Sequence, residues 1–170
     1  MGRSLFARLF RRYHSVTTLS ALLDMAGDRV EIEGFADPVA RLEDPLSGER
    51  CVAIEYRAWP PSTTLGIDGG SGHNGRAYQL AAQQAVDFTL TDGPISVLVR
   101  VDAGKSVDAL HTRLLEQFGV GLRAETDTVA TGAKIRVAGR VDRVPHGGSP
   151  HRTAPQTISL VADRFWVVEA

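Results

Sequence analysis

One short phrase occurs twice in the chain, once near each end. Residues 27–37 read GDRVEIEGFAD, and residues 132–142 read GAKIRVAGRVD. In both copies β-branched residues alternate with polar or small ones, which is typical of a half-buried strand. A glycine inside each strand, Gly34 or Gly139, indicates a bulge, a bend or a close backbone approach. We therefore predict a small closed or strongly coiled sheet in which both copies are walls of one apolar interior. The residues predicted to face it are Val30, Ile32, Ile135 and Val137.

Charge is distributed unevenly along the chain. Nineteen Lys and Arg and 20 Asp and Glu give the 170 residues a net charge of −1. Residues 1–23 contain four arginines and no acid, so the rest holds 19 − 4 = 15 basic and 20 acidic residues, a net of −5. Domains that bind nucleic acid usually carry an excess of basic residues, because they neutralise phosphates. The uneven charge favours an anionic surface or an acidic partner that contacts the N-terminal segment.

The N-terminal segment has the clearest helical pattern in the chain. Apolar residues of 3–13 fall on one side of a helical wheel, and Ser4, Arg8 and Arg11 lie opposite. A second short helix is predicted through Met25, ending at Gly27. We predict an amphipathic helical arm over residues 1–26 and one domain over 27–170. The residues predicted to contact a membrane or a partner are Arg3, Leu5, Phe6, Arg8, Leu9, Phe10, Arg11 and Arg12. The alternatives are that the apolar face of the arm packs on the barrel or on a second subunit, or that the segment is a mitochondrial-type targeting sequence.

The rest of the chain predicts strands and one helix. The predicted strands are 29–36, 51–59, 78–90, 95–101, 134–144, and one or two short strands at 158–161 and 165–168. A helix capped by Ser106 is predicted to present Val107, Leu110, Leu114 and Phe118 on one face. The predicted class is α+β and mainly β: an OB-like Greek-key barrel of five to six strands, with a helix between strands 4 and 5 that plugs the barrel. Another β-barrel and a β-sandwich are the alternatives.

Residues 28–144 resemble the GIDE domain, also called BAM. The matching segments are VEIEGFA at 30–36, PLSGERCVAIEY at 45–56, FTLTDG at 88–93 and VLV at 97–99. This domain is best known from membrane-anchored mitochondrial E3 ubiquitin ligases and also occurs in prokaryotic proteins. The resemblance implies a membrane-associated interaction module. It does not imply ligase activity, because that activity belongs to a zinc-binding RING, which needs about eight Cys and His ligands, and the chain has one Cys.

Few residues suggest catalytic chemistry. Gly104-Lys105-Ser106 ends like a phosphate-binding loop, but the glycine that such a loop needs further upstream is replaced by Val99. We predict a helix cap there, with a solvated lysine. The single Cys51 lies in an apolar strand and is predicted to be a small buried hydrophobic residue.

Two loops leave weaker alternatives open. The glycine-rich loop 66–75, with His73 and Arg76 near its end, is predicted to be a flexible tip that could also embrace an anion. His146 and His151, near Asp142, could ligate a metal ion, but no cysteine lies near them in the sequence to complete the site. No histidine stands beside a serine nucleophile and an orienting acid in a recognisable motif. We therefore predict no enzyme activity, no cofactor and no metal.

The predicted function is a non-catalytic interaction or scaffolding module that binds an unidentified protein partner and lies peripherally on an anionic membrane through the arm. The sequence has neither a membrane-spanning run nor a secretory signal, so we expect a cytoplasmic location at the inner face of a membrane. The alternative is an OB-fold protein that binds single-stranded nucleic acid, and a second alternative is an enzyme. Residues that could serve nucleic-acid binding are Tyr56, Arg57, Trp59, Arg76, Tyr78 and Phe88.

Overall fold

The computed structural model describes residues 13–61, 79–144 and 157–168. Over these residues it contains nine β-strands, one α-helix and two short 3-10 helices. The strands are β1 (His14–Val16), β2 (Arg29–Pro38), β3 (Cys51–Trp59), β4 (Leu80–Ala85), β5 (Phe88–Asp92), β6 (Ile95–Arg100), β7 (Arg123–Ala130), β8 (Lys134–Val144) and β9 (Thr157–Val167). The α-helix is α1 (Val107–Phe118), and the 3-10 helices are Leu19–Asp24 and Gly119–Gly121.

Five strands close into a ring in the order β2-β5-β6-β9-β8, and β8 pairs with β2 again. The β6–β9 pair is parallel, and the other pairs of the ring are antiparallel. The short β1 adds to the first half of β2 in parallel. A closed, mainly β sheet with one α-helix confirms the predicted class at the level of a barrel-like α+β fold.

The two copies of the repeated phrase lie side by side. β2 and β8 pair antiparallel, so that Ile32 is opposite Val137. The glycine of each copy is opposite the first β-branched residue of the other: Gly34 opposite Ile135, and Gly139 opposite Val30. All four predicted core residues are buried in one apolar cluster. The prediction that both copies line one shared interior is therefore confirmed.

Both strand glycines lie where a third strand approaches closely. A methyl group on Gly34 would come within 2.8 Å of Leu90 Cγ and of the Thr91 carbonyl oxygen in β5. A methyl group on Gly139 would overlap the carbonyl oxygen of Val161 in β9. Since only glycine lacks a Cβ, these two positions let β2 and β8 bend and hand their pairing to the next strand of the ring.

A second sheet, β4-β3-β7, lies beside the ring and carries the helix. It has its own apolar cluster, to which α1 contributes Val107 and Leu114. The predicted helix and its Ser106 cap are confirmed, because Ser106 Oγ accepts a hydrogen bond from the Ala109 amide at 3.3 Å. The prediction that this helix plugs the barrel is wrong. Instead, the apolar face of α1 packs against the second sheet, in the cluster that contains the buried Tyr56.

One strand supplies both cores. The pairing of β3 with β7 shifts register between Cys51 and Ala53, which is a β-bulge. As a result the consecutive residues Cys51 and Val52 are both buried, Cys51 in the cluster of the second sheet and Val52 in that of the ring. The bulge therefore lets one strand face two interiors.

The predicted strand 78–90 is in fact two strands in different sheets, β4 and β5. The chain leaves the second sheet at Val86, whose amide donates to the Val52 carbonyl. Asp87 then accepts backbone hydrogen bonds from Val39 and, through Oδ1, from Val101 at 2.9 Å. These bonds come from segments far along the chain and fix a bend that the local pattern does not show.

Other differences are smaller. Alternation along the predicted strand 95–101 would place Ile95 inward, but it is 38% exposed, because it lies beside the turn at the start of β6. The strands β1 and β7 were not predicted at all, and the last predicted strands are one strand, β9. The short helix before Gly27 is a 3-10 helix whose Leu19 and Leu22 are buried in the core of the ring.

The close approaches predict a ranking of glycine substitutions. We expect Gly139→Ala to lower the free energy of unfolding by about 2–4 kcal/mol, because the added methyl group meets strand backbone, which cannot shift easily. Gly34→Ala should lower it by less, because one of its close neighbours is the Leu90 side chain. Gly132→Ala is the comparison: a methyl group there meets open space but adopts φ +77°, which costs about 1 kcal/mol. Urea unfolding followed by tryptophan fluorescence measures all three. An equal loss in Gly139→Ala and Gly132→Ala would show that no close approach exists.

Candidate interaction surface

The outer face of the ring carries a network of charged side chains, which we call the charged face: Glu31, Glu33, Lys134, Arg136, Asp163 and Arg164. Glu33 accepts a hydrogen bond from Arg136 Nε at 2.9 Å and lies 3.1 Å from Lys134 Nζ. Arg136 also lies 3.5 Å from Glu31. The hydrogen bonds from Arg136 and then Lys134 hold the pKa of Glu33 below its usual value. Glu31 and Glu33 belong to the first copy of the repeat and Lys134 and Arg136 to the second, so their network crosses the β2–β8 pair.

Residue 13, at the end of the predicted amphipathic helix, is held on the charged face. Tyr13 donates its hydroxyl hydrogen bond to Asp163 Oδ2 at 3.1 Å. The guanidinium of Arg164 lies 5.3 Å from the ring centroid of Tyr13 and 5.3 Å from that of Trp166, within the range of cation–π attraction. Glu31 Oε2 lies 3.9 Å from Arg164. We call these residues the root. Partial burial, followed by the hydrogen bond to Asp163, raises the pKa of Tyr13.

The root was not predicted from the sequence, whereas the arm was. The predicted contact residues Arg3, Leu5, Phe6, Arg8, Leu9, Phe10, Arg11 and Arg12 lie outside the described residues. So does the loop 66–75, together with Arg76 and Tyr78. Next to the root, a cleft of about 300 Å³ runs between β1 and the charged face. Its polar lining includes Ser15, Thr17, Glu31, Glu33 and Arg136.

The turn in the PLSG segment is organised by a buried acid that the sequence analysis did not single out. Asp44 is 5% exposed and accepts hydrogen bonds from the Leu46 amide at 3.0 Å, Ser47 Oγ at 2.7 Å and Thr126 Oγ1 at 3.0 Å. Burial alone would raise the pKa of Asp44, but these hydrogen bonds outweigh it and the pKa is lowered. An Asp directly before Pro45 in a turn sequence is the signal that could have revealed this role.

Four of the residues proposed for nucleic-acid binding have described positions, and they are not gathered on one surface. Tyr56 and Phe88 are fully buried in different clusters, so neither ring can stack on a base. Trp59 is half-buried in the second sheet beneath Arg123, at 5.4 Å. Arg57 forms an ion pair with Asp127.

The Gly-Lys-Ser segment bonds to the edge of β4 and caps the N-terminus of α1. The Lys105 amide donates to the Gln83 carbonyl at 2.9 Å, and a methyl group on Gly104 would overlap the same carbonyl. The first amide of α1, that of Val107, donates to Gln84 Oε1 at 2.7 Å. With the Ala109 amide bonded to Ser106, the amides of Lys105, Val107 and Ala109 already have partners, in agreement with the cap prediction.

The remaining candidates carry no site in the described part of the chain. Cys51 is buried, and burial raises its pKa to about 11, as expected of an unreactive thiol. His146 and His151 lie outside the described residues, and Asp142 pairs with Arg140 at 3.0 Å. Among the residues with described positions, no group of three or more His, Cys, Asp or Glu side chains could hold a metal ion.

Comparisons with known proteins add no relative: no protein-family model and no curated protein matches the chain. Within the segments that the structure describes, no helix has the length and apolarity needed to cross a bilayer.

Asp44 predicts a pH-dependent contribution to stability. Its folded-state pKa is lowered, so its contribution is full above the unfolded value near 4 and is lost as the pH falls through the folded value. An asparagine cannot accept all three hydrogen bonds, so we expect Asp44→Asn to cost about 1–3 kcal/mol at neutral pH. Urea unfolding of both proteins between neutral and acidic pH measures this. The difference should narrow towards low pH, and a difference that is constant with pH would contradict the assignment.

Proposed function

We propose that the ring is an OB-like Greek-key barrel into which a second sheet is inserted. Three features support this assignment: five strands that close on themselves, the parallel β6–β9 pair, and an α-helix between the third and fourth strands of the ring in chain order. The insertion, β3 and β4, leaves the ring after β2 and returns at β5. Its start holds the PLSG turn, the most specific part of the resemblance to the GIDE domain.

We propose that the chain is a non-catalytic interaction module of the GIDE type that holds a basic, amphipathic segment against an anionic membrane surface. The observation that carries the proposal is the root. Because Tyr13 is bonded to Asp163 and stacked on Arg164, and His14–Val16 pairs with β2, the segment before residue 13 leaves from a fixed position on the barrel. A fixed starting point lets an arm that binds a surface orient the whole barrel on it.

The electrostatics of the charged face suit this role. Glu33 is paired with Lys134 and Arg136, and Glu31 lies near Arg136 and Arg164. Glu31 and Glu33 are thus compensated by cations of the barrel itself. Four arginines at positions 3, 8, 11 and 12 then find their counter-charges more readily on an external anionic surface, where each is worth about 1 kcal/mol.

The nucleic-acid alternative has less support, because two of its proposed stacking rings are buried and Arg57 is paired with an acid. We therefore retain the membrane proposal alone.

Co-sedimentation with vesicles tests the proposal. We expect the full chain to pellet with anionic phosphatidylglycerol vesicles but not with phosphatidylcholine vesicles, and to be released between about 0.05 and 0.5 M salt. Removing residues 1–12, which leaves Tyr13 and β1 in place, should abolish pelleting. Replacing Arg3, Arg8, Arg11 and Arg12 by glutamine should weaken partitioning by about a hundredfold or more.

The matched control changes the same number of charges elsewhere on the molecule. Arg50, Arg100, Arg113 and Arg143 are exposed arginines of the described segments, and their replacement by glutamine should leave most of the binding intact. Equal pelleting with and without residues 1–12, or an equal loss in both four-arginine variants, would rule out a specific role of the arm.

A further inference from the structure

The second sheet has one edge that is covered by a loop and, within the described residues, one edge that is open. The outer edge of β4 is covered by residues 103–105: the Ala85 amide donates to the Ala103 carbonyl at 3.0 Å, and the Lys105 amide donates to the Gln83 carbonyl at 2.9 Å. Across the sheet, β7 pairs with β3 along its whole length. Within the described residues its other edge has no strand partner. β7 thus offers an eight-residue open edge, where another strand could add.

The outward positions of β7 carry one positive and two negative side chains. Arg123, Glu125 and Asp127 are exposed and point to one face of the sheet, whereas Ala124 and Thr126, between them, are partly buried. Arg123 contacts Glu125 at 2.7 Å within the strand, and Asp127 pairs with Arg57 of β3. This row reads positive, negative, negative along the strand.

We propose that a second copy of this chain adds to the open edge, with β7 of each copy pairing antiparallel about a two-fold axis at Glu125. In this register Arg123 of each copy is directly opposite Asp127 of the other, and both pairs point to the same face. Opposite charges in directly opposed positions stabilise strand pairing. A two-fold axis requires a self-complementary surface, and this register supplies one. The two three-stranded sheets become one six-stranded sheet.

The existing ion pairs favour this occupant over an unrelated peptide. In this register Arg57 and Asp127 of one copy lie in one row with Arg123 and Glu125 of the other. Positive and negative side chains alternate along that row. The edge is also preformed, because Thr126 is bonded to the buried Asp44 at 3.0 Å and the strand needs no ordering before it pairs. The two copies of Glu125 meet at the axis, and this like-charged contact weakens the dimer. We therefore expect a concentration-dependent equilibrium rather than a permanent dimer.

Sedimentation equilibrium of the full chain, from about 1 µM to 1 mM, tests the proposal. The expected result is a monomer–dimer equilibrium in which Arg123→Asp raises the dissociation constant about tenfold. The double variant Arg123→Asp with Asp127→Arg should associate more tightly than Arg123→Asp alone, because it restores opposite charges at the facing positions. Glu125→Gln should lower the dissociation constant, since it removes the repulsion at the axis.

Arg113→Asp is the control, because this exposed arginine on α1 undergoes the same charge change away from the edge. It should leave the equilibrium unchanged, and circular dichroism should show the same folded spectrum in every variant. Hydrogen exchange supplies an independent measurement, with the amides of β7 slowing at high protein concentration. A monomer at all concentrations, a dimer that ignores Arg123→Asp, or weaker association in Glu125→Gln would each overturn the proposal.

Discussion

The antiparallel pairing of β2 with β8 is the interaction on which the rest of the structure depends. It closes the ring, brings the two copies of the repeated phrase together, and lines the core with Val30, Ile32, Ile135 and Val137. The pairing has an approximate local two-fold symmetry about Ile32 and Val137. Gly34 and Gly139 therefore lie at opposite ends of the paired segment. Each glycine then admits a different neighbouring strand, β5 on one side and β9 on the other. A pattern of eleven residues thereby determines two of the close strand contacts of the ring.

The same pairing builds the charged face. Residues that point away from the core at alternate positions bring Glu31 and Glu33 of one copy against Arg136 of the other. The surface network therefore follows from the same alternation that fills the interior. On this surface Tyr13 joins residues that are 150 positions later in the chain. The N-terminal segment and the last strand meet there, and this meeting gives the proposed membrane contact a defined geometry.

The sequence predicted well those elements whose evidence is local. β3 and β8 match their predicted ranges because strong alternation is bounded by prolines or glycines, and α1 matches because Ser106 caps an apolar face. β7 was missed because its inward positions are occupied by small residues such as Ala124 and Thr126. Its strand character comes from pairing with β3, which the local sequence does not encode. The split between β4 and β5 was missed for a similar reason, since distant backbone amides hold Asp87. The root joins Tyr13 to Asp163 and Arg164, so no local pattern could reveal it, whereas the amphipathic arm is a local pattern and was predicted.

The bulge at the start of β3 has a thermodynamic consequence. Cys51 and Val52 are neighbours in sequence, yet they anchor separate hydrophobic clusters. Unfolding of the second sheet would remove Val52 from the core of the ring. Unfolding of the ring would in turn remove Cys51 from the core of the second sheet. The insertion is consequently not an autonomous appendage. Barrel and insertion should share a single cooperative unit, and heat or denaturant should dismantle them together.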